Sequence, residues 1–183
     1  VLLLFVCASA TSASAPRGEE GEAEEDSPTE YQVKARAMLH FAKYTTWPKG
    51  SFPKEDSPIV IWVVGKDPFG KSLAAAVKGK TLGTRAFVIR RLATVKAALA
   101  DKKRPHMLFV ASMKLEDRKK LLDGFIKEPI VVIGNEESLA KQGALICFFL
   151  KDDRVQFAAN PDAAKKRKLQ FSSQFLRLAK IIK

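Results

Sequence analysis

Cysteine, histidine and long apolar runs are what this sequence has least of, and each shortage excludes a class of chemistry. The cysteines are Cys7 and Cys147. The first lies in a leader-like segment, so one cysteine remains for the folded part and no disulfide framework can form. Cys147, between Ile146 and Phe148, reads as a buried small hydrophobe with no base near it in sequence. His40, His106 and Cys147 are too few and too scattered to ligate a metal, so neither a metal nor a cofactor is expected. No G-x-S-x-G elbow is present to start a Ser-His-Asp hydrolysis. The longest apolar run at the N-terminus, Val1 to Val6, is far short of the ~20 residues that span a bilayer. No catalytic set assembles, and the chain is not expected to be an enzyme.

What is present begins with an address. Val1–Val6 is followed by small residues through Ala15, with Ala8-Ser9-Ala10 and Ala13-Ser14-Ala15 both fitting an A-x-A cleavage site. Residues 1–15 read as the end of a secretory signal peptide; the usual basic start is missing ahead of Val1, so further residues are expected before it. Cleavage after Ala10 is favoured, because Pro16 would follow the second cut. Residues 16–29 read as an acidic disordered spacer, with Glu19, Glu20, Glu22, Glu24, Glu25 and Asp26 against Arg17 alone. The whole chain has 183 residues and a net charge of +12, and residues 1–29 hold six acids and one base, so residues 30–183 carry 31 bases against 14 acids. A domain of that size buries roughly 70% of its unfolded surface and needs no disulfide or metal. Its positive charge suits acidic protein surfaces, lipid head groups or small anions; export makes nucleic acid the poorest partner. The runs Lys102-Lys103-Arg104, Arg118-Lys119-Lys120 and Lys165-Lys166-Arg167-Lys168 each lie at or near a helix end, where solvated cations are ordinary.

Hydrophobic patterning predicts an α/β fold. Ser27-Pro28-Thr29-Glu30, with a Ser cap and Pro at the first helical position, starts a helix whose apolar face carries Val33, Ala37, Phe41 and Tyr44, with Lys34 and Arg36 off it. Trp47-Pro48 stops it. Ile59–Val64, Arg85–Leu92, His106–Val110 and Ile130–Ile133 read as strands. Between them fall helices from Pro68 to Val77 (capped by Asp67), from Thr94 to Lys102 and from Leu115 to Ile126. Gly143–Leu150 and Arg154–Ala159 read as an antiparallel hairpin, followed by helices from Asn160 to about Lys168 and from Ser172 or Ser173 to Ile182. The sum is a single domain over 30–183, a mixed, mostly parallel sheet with helices on both faces, closed by the hairpin and two helices.

Gly65-Lys66-Asp67-Pro68-Phe69-Gly70-Lys71-Ser72 matches the phosphate-cradling pattern G-x-x-x-x-G-K-S/T, between a strand and a helix. Chemistry argues against a nucleotide hydrolase. A cradle needs successive backbone N–H groups, and Pro68 has none. Phe69 adds bulk, no strand ends in an Asp to help hold Mg²⁺, and an exported chain meets little ATP. The loop reads as an Asp-Pro cap between two glycines.

With these elements placed, the chain resembles the YfiR-like family of small exported bacterial regulators over nearly all of Lys34 to Ile182. The marks are Lys34–Tyr44 followed by Trp47-Pro48, then Gly65–Gly70, then His106–Val110. They continue with Gly143–Phe148, Arg154–Phe157, Asn160 with Ala163-Ala164, and Ser172-Ser173 with Leu176, Leu178 and Ala179. The resemblance implies a periplasmic, non-enzymatic binding protein that modulates a membrane-bound signalling enzyme such as a diguanylate cyclase, hence c-di-GMP signalling. A homodimer is compatible with it. Many members carry a Cys where this chain has Pro105, and commonly an Asn where it has Cys147, so redox control is not implied here. The alternative is an exported sensor of a nucleotide, amino acid or other small anion, bound at the strand C-terminal ends. For a ligand or partner, Arg90, Arg91, His106 and Arg177 are the polar residues singled out.

Overall fold

The architecture follows from three apolar runs, Ile59–Val64, Met107–Val110 and Val131–Gly134, that are buried on both faces almost throughout. The computed structural model describes residues 29–182. The signal segment, the acidic spacer and the Ser27-Pro28 cap lie outside the described residues. The central strands are β2 (Ile59–Val64), β4 (Arg85–Leu92), β5 (Met107–Val110), β6 (Val131–Gly134), β7 (Ile146–Lys151) and β8 (Arg154–Ala159). Two-residue strands add β1 (Thr45–Thr46), β3 (Thr81–Leu82), β9 (Gln170–Phe171) and β10 (Lys180–Ile181). The main sheet has eight strands in the order β10-β8-β7-β6-β5-β2-β4-β3, and β1 pairs with β9 in a separate ribbon. Strands β4, β2, β5, β6 and β7 are mutually parallel, β8 returns antiparallel to β7, and β10 lies parallel to β8. Asp152 and Asp153 both take positive φ between β7 and β8, the backbone that a two-residue hairpin requires.

Helices α1 (Glu30–Lys43), α2 (Ser72–Val77), α5 (Pro161–Lys166) and α6 (Ser173–Leu178) cover one face. Helices α3 (Val95–Ala100) and α4 (Leu115–Phe125) and a 3₁₀ turn at Glu137–Gln142 cover the other. Strand β2 shows the alternation directly: Ile59, Ile61 and Val63 enter the first core layer, Trp62 and Val64 the second. The first layer centres on Phe41, whose ring lies 5.3 Å from Phe148, 5.0 Å from Phe157 and 5.5 Å from Phe175.

The structure corrects four local expectations. Thr29, not Ser27, caps α1, in a reciprocal capping box with Gln32. Lys34 lies on the buried face with Ala35, Met38, Phe41 and Ala42, not off it. Asp67 starts no helix; its carboxylate accepts the Phe69 N–H at 2.8 Å in a local turn, and α2 begins at Ser72. The last helix stops at Leu178, because Lys180 and Ile181 extend to pair with the open edge of β8.

Candidate functional site

In sequence order the parallel strands run 2-1-3-4-5 across the sheet, which puts the reversal of winding between β2 and β5. Open α/β sheets bind ligands in the crevice that this reversal leaves beyond the strand C-termini. Here the crevice is bridged. The Lys66 N–H donates to the Ser112 carbonyl at 3.2 Å, joining the loop after β2 to the loop after β5. Gly65 makes the approach feasible: its φ is +103°, and a Cβ on it would stand 2.9 Å from the Ser112 oxygen.

The loop after β2 is bonded inward through the amides of Gly65, Lys66, Phe69 and Ser72. The Gly65 N–H donates to Leu92, the Phe69 N–H to Asp67 and the Ser72 N–H to the Phe69 carbonyl. Phe69 is buried, its ring edge-on to Phe109 at 4.7 Å and to Tyr31 at 5.5 Å. Arg91 clamps the turn from the neighbouring strand, with Nε 2.5 Å from Asp67 Oδ2 and Nη2 2.9 Å from the Gly70 carbonyl. Lys71→Ala is expected to leave ATP turnover at the buffer background, as in the parent chain; loss of a measurable ATPase on that change would contradict the clamp reading.

Beside the bridged crevice, Lys34 is only 2% exposed yet carries its ammonium into a polar cluster. It pairs with Glu30 one turn earlier, donates to Asn135 Oδ1 at 2.6 Å just beyond β6, and lies 5.0 Å from the Tyr31 ring centre. Asn135 in turn donates to the Tyr31 hydroxyl at 3.2 Å. A buried cation is tolerated only when paired and hydrogen-bonded in this way. The cluster ties α1 to the sheet's C-terminal rim, and its signal in the sequence was the i, i+4 pair Glu30–Lys34 beside the buried stripe Met38 and Phe41.

The four residues singled out from the sequence do not come together. Arg90 and Arg91 are consecutive in β4 and face opposite sides. Arg90 lies over the Trp62 ring at 5.5 Å and pairs with Asp101 at 2.6 Å. Arg177 is exposed on α6. His106 sits at the opposite end of the sheet, entering β5. There it stacks on Phe52 at 4.2 Å, and the Arg85 guanidinium covers the other side of Phe52 at 4.0 Å. Its Nδ1 accepts the Val60 N–H at 3.0 Å, so Nε2 carries the proton that it donates to the Ser51 carbonyl at 3.1 Å. Trp47 packs edge-on to the pair, which brings two marks of the resemblance, Trp47-Pro48 and His106, into one contact.

Burial holds the His106 pKa below its ordinary value of 6.5, the nearby Arg85 charge adds to this, and the Ser51 carbonyl opposes it. The fold therefore favours the neutral ring. Stability from this site is complete above pH 6.5 and is lost as pH falls below it, because the unfolded chain takes up the proton first. Urea unfolding from pH 7.5 down to 5 should show this loss, at a slope of no more than about 1.4 kcal/mol per pH unit for one proton, and His106→Gln should flatten it.

Of two further groups, Cys147 is the buried thiol that its apolar neighbours predict, whereas Arg167 differs from its reading in the sequence. Cys147 is buried, and burial pushes its thiol up to about 12, so it stays protonated. Arg167 is not part of a solvated basic run: it is 5% exposed, donates to the Gly143 carbonyl at 2.5 Å, and burial draws its pKa down to about 10. Among the described residues no group of three or more His, Cys, Asp or Glu gathers in one place, and no helix is long and apolar enough to cross a membrane.

A hollow runs along α1 and α2 above the β3–β4 edge. It has a volume of about 670 Å³, a floor that includes Leu39, Ala76, Leu82 and Phe87, and walls that carry Arg36, His40, Lys43 and Lys80. Sequence reading missed it, because its bases come from α1 and from the turn after α2, which lie far apart in the chain.

No curated protein matches the chain. Among solved structures, a conserved domain protein from Vibrio cholerae O1 biovar El Tor str. N16961 superposes with a TM-score of 0.57 at 12% identity. The match covers 85% of this chain and 60% of that one, so the chain spans less than two thirds of that protein's length. A likeness at this identity speaks for the fold alone. The model of the YfiR/HmsC-like family matches residues 31–180, and the chain belongs to that family.

Proposed function

We propose that the protein is an exported, non-enzymatic regulator that binds the periplasmic part of a membrane-bound signalling enzyme, a diguanylate cyclase in the first instance, and so sets c-di-GMP output. The observation that carries this reading is the family match over 31–180, nearly the whole described domain. The site geometry agrees with a binding role: the crevice between β2 and β5 is bridged, and the polar side chains around it hold the fold. A basic surface suits an acidic partner face. Affinity capture from native membranes should recover an inner-membrane signalling protein that survives a salt wash. Recovery of none would count against the reading.

The α1–α2 hollow favours a second reading, a sensor of a small anion with an apolar part. A thermal-shift screen separates the two: a ligand at about 100 times its dissociation constant adds roughly 2.7 kcal/mol to stability. A shift with a nucleotide or amino acid favours the sensor; none across small anions leaves the partner reading ahead.

A further inference from the structure

Positive charge stands without acid beside it in the α1–α2 hollow. Among the described residues no Asp or Glu lines the groove, and Arg36, Lys43 and Lys80 have no ion-pair partner. Elsewhere Arg90, Arg91, Arg104, Arg118 and Lys180 each face a carboxylate. The same chain carries the complementary charge just ahead of α1: Glu19, Glu20, Glu22, Glu24, Glu25 and Asp26.

The connection between them is short and directed. Thr29 caps α1, and its N–H donates to Gln32 Oε1 at 3.0 Å. Gln32 also lines the groove, so the chain joins α1 at the groove's rim. From Thr29 to Lys43 the helix rises roughly 21 Å at 1.5 Å per residue. Ten residues of extended chain, 19 to 28, reach roughly 33 Å. The acids therefore span every base of the groove. A tether this short gives an effective concentration in the millimolar range, so several exposed ion pairs acting together hold the segment for part of the time.

We propose that residues 19–26 of this chain dock in the α1–α2 groove, antiparallel to α1, with their carboxylates on Arg36, His40, Lys43 and Lys80. The segment is then a built-in occupant that any acidic partner or small anion must displace, and its hold weakens as salt shortens the screening length. This contact does not depend on which partner the protein regulates.

Zero-length carbodiimide coupling of carboxylates to lysines in the full chain tests it, read by mass spectrometry on the monomer band. Cross-links from Glu19–Asp26 should concentrate on Lys43 and Lys80 and fade at roughly 1 M salt. The double change Arg36→Glu and His40→Glu, at exposed positions, should lower the Lys80 cross-link about tenfold with circular dichroism unchanged. Arg36→Gln should give a smaller loss in the same direction. Cross-links spread over Lys102, Lys119 and Lys165 in proportion to exposure would overturn the proposal. So would links only between chains, or none because a small anion or another protein fills the groove.

Discussion

Phe41→Ala lowers the unfolding free energy by about 3–5 kcal/mol, the range for removing a large aromatic side chain from a packed core. Phe41 is 2% exposed and touches three rings that come from different parts of the chain: Phe148 in β7, Phe157 in β8 and Phe175 in α6. Its ring thus joins α1 to the hairpin and to the last helix. No neighbour can collapse into the space without leaving its own contacts, because Phe157 and Phe175 are themselves stacked at 5.0 Å. Urea unfolding should show a lower midpoint at unchanged slope, the signature of lost stability without a change in the unfolded state. Leu178→Ala, at a position 73% exposed, serves as the control and should stay within about 0.5 kcal/mol of the parent.

Gly65→Ala is expected to cost about 2–5 kcal/mol, through two separate effects at one atom. The backbone there has φ +103°, which L side chains rarely adopt, and the new Cβ would meet the Ser112 oxygen at 2.9 Å and Met113 Cε at 3.1 Å. The first obstacle is backbone and cannot rotate away. Relief requires parting the loops after β2 and β5, so the Lys66–Ser112 bridge should break and the amides of both loops should exchange hydrogen faster. Gly70→Ala is the informative comparison. Gly70 has φ +52° and open space around its would-be Cβ, so only the backbone term of about 1 kcal/mol applies. Equal costs at the two glycines would mean that the bridged crevice is not a close contact.

Much of the sheet was legible in the sequence because parallel strands buried on both faces leave continuous apolar runs, as in Ile59–Val64 and Val131–Ile133. The hairpin was legible from its strands and Asp152-Asp153. What failed did so where a tertiary contact outweighs a local preference. Lys180 and Ile181 continue a helical pattern, but the backbone groups of Ala158 and Ala159 in β8 pair with them instead. Asp67 carries the chemistry of a helix cap, but Arg91 holds its second oxygen and Phe69 turns into the core. Lys34 looked solvent-facing because the Asn135 that accepts its hydrogen bond is distant in sequence. Strands β1 and β9 are two residues each and have no period to read.

The site was less legible than the fold. Consecutive strand residues alternate faces, so Arg90 and Arg91 could not have served one ligand together; that much was readable from the period of a strand. That His106 is held between Val60, Ser51 and Phe52 was not readable, since all three lie far from it in the chain. The phosphate-like loop shows how a pattern of letters differs from a site. Its spacing is right, but Pro68 has no N–H, and the amides of Gly65, Lys66, Phe69 and Ser72 already have acceptors within the protein.

The proposed role is regulation of a membrane cyclase by binding alone. Cellular c-di-GMP, measured in a strain lacking this chain and again after complementation, tests that most directly. The expected result is a rise on deletion that the parent chain reverses; a level unchanged by deletion would contradict it.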